Sequence, residues 1–107
     1  MSTYRLLPHA EVDYLEAYLY LDVRNQTAAL HWERTILEAL DHLARYPSTG
    51  HIRPELAPAP MRIWPVNQYL IVYEPETDPI TIIAILHGAR DTQLELQRRV
   101  GNHAKEG

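Results

Sequence analysis

The residues with the clearest capacity for chemistry follow the most apolar run of this sequence. The apolar run 82–86 is followed directly by His87, Gly88, Arg90 and Asp91, with one alanine between the glycine and the arginine. A strand that ends in a glycine turn can place imidazole, guanidinium and carboxylate groups together at the rim of a sheet. A structural role is equally open: the glycine permits the turn, Asp91 caps a following helix, and Arg90 pairs with a carboxylate.

Arginine is the other side chain that invites a binding role. Arg62 lies two residues from Trp64 in a predicted strand, where its guanidinium could instead stack on the indole. Nine of the ten basic residues are arginine, and the single lysine is Lys105. Arginine favours bidentate recognition of carboxylate or phosphate. The net charge of −4 nevertheless disfavours bulk binding to nucleic acid, so we expect no direct sequence-specific DNA binding by this chain.

Several common classes of site are missing from the sequence. The six histidines show no i, i+4 pair and no HExxH spacing, and cysteine is absent, so we expect no metal. No GxSxG motif and no glycine-rich phosphate loop occur, so we expect no cofactor. The longest apolar run is too short to cross a bilayer and the first residues lack a signal-peptide pattern, which predicts a cytoplasmic protein without a membrane partner.

Hydrophobic periodicity predicts the elements that position these groups. A strand over 3–7 stops at Pro8, and a helix follows over 10–23. Its apolar face is predicted from residues spaced i, i+3 and i+7, with the acidic residues off that face. The apolar residues are Val12, Leu15 and Leu19, and the acidic ones are Glu11, Asp13, Glu16 and Asp22. A second stripe, which fits a core or a partner surface, consists of Tyr14, Tyr18 and Leu21.

A second helix is predicted from an N-cap at Asn25 to about Tyr46. Its apolar stripe consists of Ala29, Trp32, Ile36, Leu40 and Leu43. Asp41 and Arg45 on the other side have the spacing of an i, i+4 ion pair. Because only a few residues connect the two helices, they must form an antiparallel hairpin.

The second half of the chain predicts a small sheet. After a loop over 47–60 with four prolines, three strands are expected to form an antiparallel meander at Met61–Val66, Tyr69–Glu74 and Ile80–Leu86. Both faces of the last two strands are apolar, which predicts helices on one side and partial cover on the other. A short helix over Asp91–Val100 and a flexible tail over 101–107 complete one domain, 1–100. The fold class is α+β, in the order β-α-α-β-β-β-(α).

The order of these segments resembles the toxins of the ParE/RelE superfamily. The resemblance covers roughly residues 3 to 95 and is most specific to its ParE-like, plasmid-stabilisation branch. The matching features are Pro8-His9-Ala10 with Asp13-Tyr14-Leu15, Ala28 and Trp32, Tyr46-Pro47-Ser48-Thr49-Gly50-His51, Arg53-Pro54-Glu55-Leu56, Arg62, Tyr69-Leu-Ile-Val-Tyr73, and Ile85-Leu86-His87-Gly88-Ala89-Arg90-Asp91. It implies a helical hairpin packed on a small antiparallel sheet, in agreement with the periodicity.

One branch of this superfamily implies an enzyme. RelE-like members are ribosome-dependent endoribonucleases that cleave mRNA, which requires a base, an acid and cations for the phosphate. On this interpretation Glu55 would be the base, His87 the acid, and Arg53, Arg62 and Arg90 the phosphate clamp. The set is incomplete, because the domain lacks lysine and has no aromatic residue after Tyr73.

The other branch implies a protein that binds a protein. ParE-like toxins resemble inhibitors of DNA gyrase that have no catalysis of their own and form a hetero-oligomer with a ParD-like antitoxin. We favour this branch, with Arg53, Arg62, His87 and Arg90 as candidates for target binding. Tyr14 and Tyr18, together with the edge strand over 3–7, are the candidates for antitoxin binding.

The distribution of charge agrees with the protein-binding branch. Residues 1–50 carry a net charge of −3 and residues 51–107 a net charge of −1, so the acidity belongs mainly to the helical hairpin. This pattern excludes a broadly basic surface for gripping RNA, although it leaves room for a local phosphate site. A non-toxic member of the family is the third possibility.

Overall fold

A computed structural model describes residues 3–88 of the 107-residue chain and shows the expected α+β fold. Its elements are β1 Tyr4–Leu6, α1 Pro8–Arg24, α2 Gln26–Arg45, β2 Arg62–Val66, β3 Tyr69–Glu74 and β4 Ile80–His87. The predicted helix over Asp91–Val100, the predicted tail over 101–107, and Arg90 lie outside the described residues.

The four strands form one sheet in the order β1-β4-β3-β2. The meander of β2, β3 and β4 is antiparallel, as predicted. Strand β1 departs from a purely antiparallel arrangement because it pairs in parallel with β4, Tyr4 opposite Ile80 and Leu6 opposite Ile82. A parallel pair needs a long crossover connection, and here the helical hairpin and the first two strands of the meander supply it.

Helix α2 agrees with its sequence pattern. The Asn25 side chain accepts a hydrogen bond from the Ala28 N–H at 3.1 Å, so the predicted N-cap is confirmed. The predicted stripe is buried at all five positions: Ala29, Trp32, Ile36, Leu40 and Leu43. Arg45 and Asp41 form the expected exposed ion pair at 3.6 Å. Among residues 3–88, no helix combines the length and the apolarity that a membrane span requires.

Helix α1 packs against the core with a different face from the predicted one. Val12, Leu15 and Leu19 were expected on its core side, yet they are 50%, 54% and 49% exposed. The buried positions are Ala10, Asp13 and Ala17, and the flanking side chains Tyr14, Tyr18 and Leu21 pack against the core. The prediction for this face is therefore wrong. The two alanines are small enough for the helix to lie against the sheet, and the aromatic rings beside them supply large apolar surfaces to the core.

The burial of Asp13 is explained by the short first strand. Strand β1 pairs with β4 only from Ile80 to Ile82, so the same edge of β4 continues beyond it. The Asp13 carboxylate accepts the backbone N–H of Ile85 at 3.1 Å on that edge. A buried N–H without a partner is costly, and the aspartate prevents this.

The sheet carries apolar side chains on both faces, as the sequence predicts. One face packs against the two helices through a cluster that includes Ile36, Leu40, Ile71 and Ile82. The opposite face has a smaller cluster that includes Ile63, Val72 and Ile83 and takes Ala57 and Met61 from the chain around the proline-rich loop. The proline-rich loop therefore supplies the partial cover that the second face was expected to have.

Candidate functional site

The loop that follows α2 is fixed to the sheet by a buried tyrosine. The Tyr73 hydroxyl donates a hydrogen bond to the Pro47 carbonyl at 2.6 Å and accepts one from the Gly50 N–H at 2.8 Å. Burial raises the pKa of this phenol, although the Gly50 N–H and the charge of Arg62 oppose the rise. The hydroxyl therefore stays protonated at neutral pH and can donate and accept at once.

Arg62 holds the same loop from the neighbouring strand. Its guanidinium donates to the Gly50 carbonyl at 2.7 Å and makes a longer contact of 3.4 Å with the Ser48 carbonyl. Gly50 has no space for a side chain, because a Cβ there would lie 2.7 Å from the Tyr73 hydroxyl. We call Gly50, Arg62 and Tyr73 the loop anchor. The arginine that the sequence offered as a phosphate or target contact is thus half-buried and bound to main-chain carbonyls.

Beyond the loop anchor the chain presents exposed charges. His51 makes an isolated bridge with Ile63, with backbone hydrogen bonds of 2.9 and 2.8 Å in the two directions. The exposed residues that follow include Arg53 and Glu55, which form an ion pair at 3.6 Å. Exposed pairs of this kind add little stability. These two predicted site residues therefore lie together on a surface loop.

His87 lies at the end of a row of aromatic rings that crosses the fold. Neighbouring ring centroids are 5.4 Å apart from Tyr14 to Trp32, 5.4 Å from Trp32 to Tyr69, and 5.3 Å from Tyr69 to His87. The Tyr14 hydroxyl donates a hydrogen bond to Glu33. Burial, followed by this hydrogen bond and the charge of the carboxylate, raises the pKa of Tyr14. Within residues 3–88, the buried Trp32 Nε1 has no hydrogen-bond partner.

The strand register separates His87 from Arg62. Arg62 lies opposite Tyr73, whereas His87 lies opposite Tyr69, four residues away along β3. Four residues of strand span about 13 Å, and β3 itself stands between the strands that carry the two residues. The structure therefore brings Arg53 and Glu55 together and places His87 at the opposite end of the sheet from Arg62. Arg90 lies outside the described residues.

A match to a protein family decides how this arrangement is interpreted. Residues 4–92 match the family described as the ParE toxin of type II toxin-antitoxin system, parDE. The chain belongs to this family. The resemblance to the ParE/RelE superfamily is thereby confirmed, and the match covers most of the chain. A comparison with curated proteins found no match.

In this ParE-family toxin the two candidate antitoxin contacts are only partly accessible. Tyr14 and Tyr18 are half-buried and pack against the cluster between the helices and the sheet. They remain predictions as antitoxin contacts. Strand β1, the other candidate, lies at one end of the sheet order.

The described part of the ParE-family chain contains no group of three or more histidine, cysteine, aspartate or glutamate side chains that could hold a metal ion. His31 and His42 are both exposed on α2. The His42 Nε2 lies 3.2 Å from the Thr49 hydroxyl, and its ring lies 5.1 Å from Tyr46. These contacts give the histidine a structural role at the start of the loop.

The hydrogen bonds of the loop anchor are the part of the site that sequence reasoning missed, although Arg62 itself was a candidate. A signal for these bonds was present, since Tyr73 ends an otherwise aliphatic stretch of a central strand. A buried phenol requires a hydrogen-bond partner, and in the structure the Pro47 carbonyl and the Gly50 N–H meet this requirement. What the sequence did not contain was the register that places Tyr73 opposite Arg62.

Proposed function

We propose that the protein is a ParE-type toxin that inhibits DNA gyrase by binding it and that a cognate ParD-like antitoxin neutralises it. Membership of the ParE toxin family, over residues 4–92, supports the toxin role. The gyrase target and the antitoxin come from the resemblance of the sequence to the ParE-like branch.

The separation of Arg62 and His87 is the observation that carries the choice of a protein target over RNA cleavage. A general base, a general acid and the phosphate-binding cations must meet within hydrogen-bond reach of one phosphodiester. Here the Arg62 guanidinium is bound to main-chain carbonyls of the loop that precedes β2. His87, on β4, lies opposite a residue of β3 that is four positions from the one opposite Arg62. The geometry thus supports a chain that leaves chemistry to its target.

The charge of the molecule supports the same choice. The net charge is −4, and residues 1–50, the stretch that includes the helical hairpin, carry −3 of it. Proteins that grip RNA or DNA on their own rely on a surplus of positive charge against the phosphates. An acidic toxin is better suited to bind a protein surface.

A gyrase assay with the purified protein tests this proposal. We expect loss of supercoiling activity, or DNA breaks that appear only when gyrase is present. The matched control is a translation reaction with the same preparation, in which mRNA should stay intact. Cleavage of mRNA in ribosomal A sites would overturn the proposal in favour of the RelE-like alternative, and His87→Ala should then abolish the cleavage without unfolding the protein.

Induced expression tests whether toxicity is retained. Filamentation or growth arrest is expected without an antitoxin, and co-expression of a neighbouring reading frame of antitoxin size should restore growth. Normal growth after verified expression of the folded protein would favour the non-toxic alternative.

Two surfaces are available to the antitoxin in this proposal. Strand β1 is at the end of the sheet, where an added strand could pair with its backbone. Tyr14 and Tyr18 are the side-chain candidates. If Tyr14→Ala with Tyr18→Ala leaves the antitoxin affinity unchanged in a protein that still folds, the tyrosines are not contacts and the strand edge becomes the remaining candidate.

A further inference from the structure

The connection between α2 and β2 is long for a chain of this size. It runs over residues 46–61, all of which are described, and it contains no helix or strand apart from the bridge between His51 and Ile63. Connections longer than about 12–15 residues without secondary structure are uncommon in compact domains, and those that occur are usually functional or disordered.

This connection is held to the sheet at both ends, so it is not a loose linker. At its start the loop anchor fixes the segment from Pro47 to Gly50, and the bridge between His51 and Ile63 follows. At its other end Ala57 is only 2% exposed and packs in the cluster on the second face of the sheet.

Between these attachments residues 52–55 are all exposed, and we call them the loop tip. A turn closes this segment, because the Arg53 carbonyl accepts the N–H groups of Leu56 at 2.9 Å and Ala57 at 3.0 Å. Pro54 lies within the turn, and its ring restricts the backbone further. A segment that is already fixed loses little conformational entropy when it binds a partner.

The loop tip combines an aliphatic side chain with an arginine. Ile52 is 47% exposed, and the side chains of Arg53 and Glu55 are 45% and 58% exposed. The Arg53 Nε lies 3.6 Å from the Glu55 Oε2, which is longer than a hydrogen bond. An exposed ion pair of this kind adds little stability, so a carboxylate of another molecule can compete for the arginine at small cost.

We propose that the loop tip contacts the target of the toxin, with Arg53 on a carboxylate and Ile52 in an apolar pocket beside it. This inference rests on the proposed function and deepens it, since it names the surface of the toxin and the chemistry of the target surface. The loop anchor then acts as a positioning device, which fixes the loop tip without contacting the target.

The chemistry of the loop tip favours a protein over a nucleic acid. One arginine and one glutamate give residues 52–55 no net charge, whereas binding to phosphates relies on a positive surplus. An arginine beside an apolar side chain is typical of the centre of a protein interface. The loop tip also follows a bridge to β2, at the opposite end of the sheet order from β1, the candidate edge for the antitoxin.

Substitutions in the loop tip test the proposal in the full chain, with gyrase inhibition and growth arrest measured side by side. Ile52→Ser and Arg53→Ala should each raise the concentration for half-inhibition at least about tenfold and relieve growth arrest. Val23→Ser and Arg34→Ala replace exposed aliphatic and arginine side chains on the helices, and these matched controls should act like the parent. Circular dichroism verifies that each variant is folded.

Tyr73→Phe separates positioning from contact, because it removes the hydrogen bonds to the Pro47 carbonyl and the Gly50 N–H and leaves the loop tip intact. We expect weaker inhibition together with faster hydrogen exchange of the His51 amide, while the Ile85 amide in β4 keeps its protection. Arg53→Ala should weaken inhibition without changing either amide. If Tyr73→Phe changes neither inhibition nor exchange, the loop anchor does not position the loop tip.

The outcomes distinguish this proposal from the choice of gyrase as target. Full inhibition by both loop-tip variants would overturn the contact and leave the gyrase target standing. Growth arrest by the parent without gyrase inhibition would overturn the gyrase target alone, and the loop tip is then judged by growth, where arrest by both variants overturns it. Normal growth with the folded parent would overturn both. RNA binding that Arg53→Ala abolishes would assign the loop tip to a nucleic acid instead.

Discussion

Helices α1 and α2 lie side by side on one face of the sheet, yet they contact it through different chemistry. Helix α2 inserts large apolar side chains from a single stripe, and Ile36, Leu40 and Leu43 are completely buried. Helix α1 contacts it through two alanines and a buried carboxylate, with half-buried tyrosines beside them. The apolar side chains that α1 does not use face away from the core. Helix α2 therefore fills the core with its large apolar side chains, whereas the aliphatic side chains of α1 remain exposed.

The difference predicts that stability depends on α2 far more than on the aliphatic residues of α1. Leu40→Ala should lower the free energy of unfolding by about 2–5 kcal/mol, because it leaves a cavity between the helix and the sheet. Urea denaturation followed by circular dichroism measures this loss. The matched variant on the other helix is Leu15→Ala at an exposed position of α1, which should change stability by less than about 0.5 kcal/mol. Equal losses for the two variants would contradict the comparison.

The attachment of α1 is predicted to depend on a polar contact. Asp13→Ala should lower the free energy of unfolding by about 1–3 kcal/mol, since the Ile85 N–H would be left buried without its acceptor. Asp13→Asn keeps an acceptor oxygen of similar size and should cost less. Hydrogen exchange of the Ile85 amide gives an independent readout, and it should accelerate in the alanine variant. If the exchange and the stability are both unchanged, α1 is held by its apolar contacts after all.

The two helices also show how far sequence alone could reach. The pattern of α2 was sufficient, because five of its apolar residues fall in one stripe, whereas Leu30 and Leu37 lie off that stripe and are exposed. In α1 both faces have apolar residues, and the periodicity of Val12, Leu15 and Leu19 gave no information about which face the sheet would cover. The burial of Asp13 decides the orientation, and it depends on how short β1 is relative to β4, a tertiary fact that no local pattern contains.

The candidate site could likewise be predicted only in part from the sequence. Individual residues such as Arg62 and His87 could be selected from their types, but their separation follows from the pairing register of three strands. The hydrogen bonds of Arg62 to its own loop depend on contacts between residues 12 and 14 positions apart. Sequence reasoning therefore found residues with suitable chemistry, and the fold determined which of them could act together.

A smaller effect is expected at the junction of the two helices. Asn25 caps the start of α2, and Asn25→Ala should lower the free energy of unfolding by about 1 kcal/mol. Asn25→Asp retains the acceptor and should keep most of that stability. Gln26→Ala, one residue later and also exposed, is the control for loss of a side chain without loss of a cap. A cost for Gln26→Ala equal to that of Asn25→Ala would show that the cap contributes nothing specific.

The smallest predicted effect on the free energy of unfolding appears only at high pH, where the tyrosines lose their protons. Burial raises the pKa values of Tyr14, Tyr73 and Tyr4, with the carboxylates of Glu33 and Asp41 adding to the rise at Tyr14 and Tyr4. Unfolded tyrosines titrate near pH 10. The folded protein thus holds these protons more tightly than the unfolded chain does, so this contribution is fully present below about pH 10 and is lost as the pH rises above it.

Denaturation by urea between pH 8 and pH 11.5 measures this dependence. The contribution of these tyrosines to the free energy of unfolding should be constant near pH 8 and should decline above about pH 10. Tyr14→Phe, compared with its own value at pH 8, should decline less steeply than the parent protein, because one of the titrating phenols is gone. Tyr20→Phe is the control, since Tyr20 is half-exposed on the same helix. Identical slopes for the parent and Tyr14→Phe would show that neither the burial of Tyr14 nor its hydrogen bond to Glu33 makes the folded protein hold the phenolic proton more tightly.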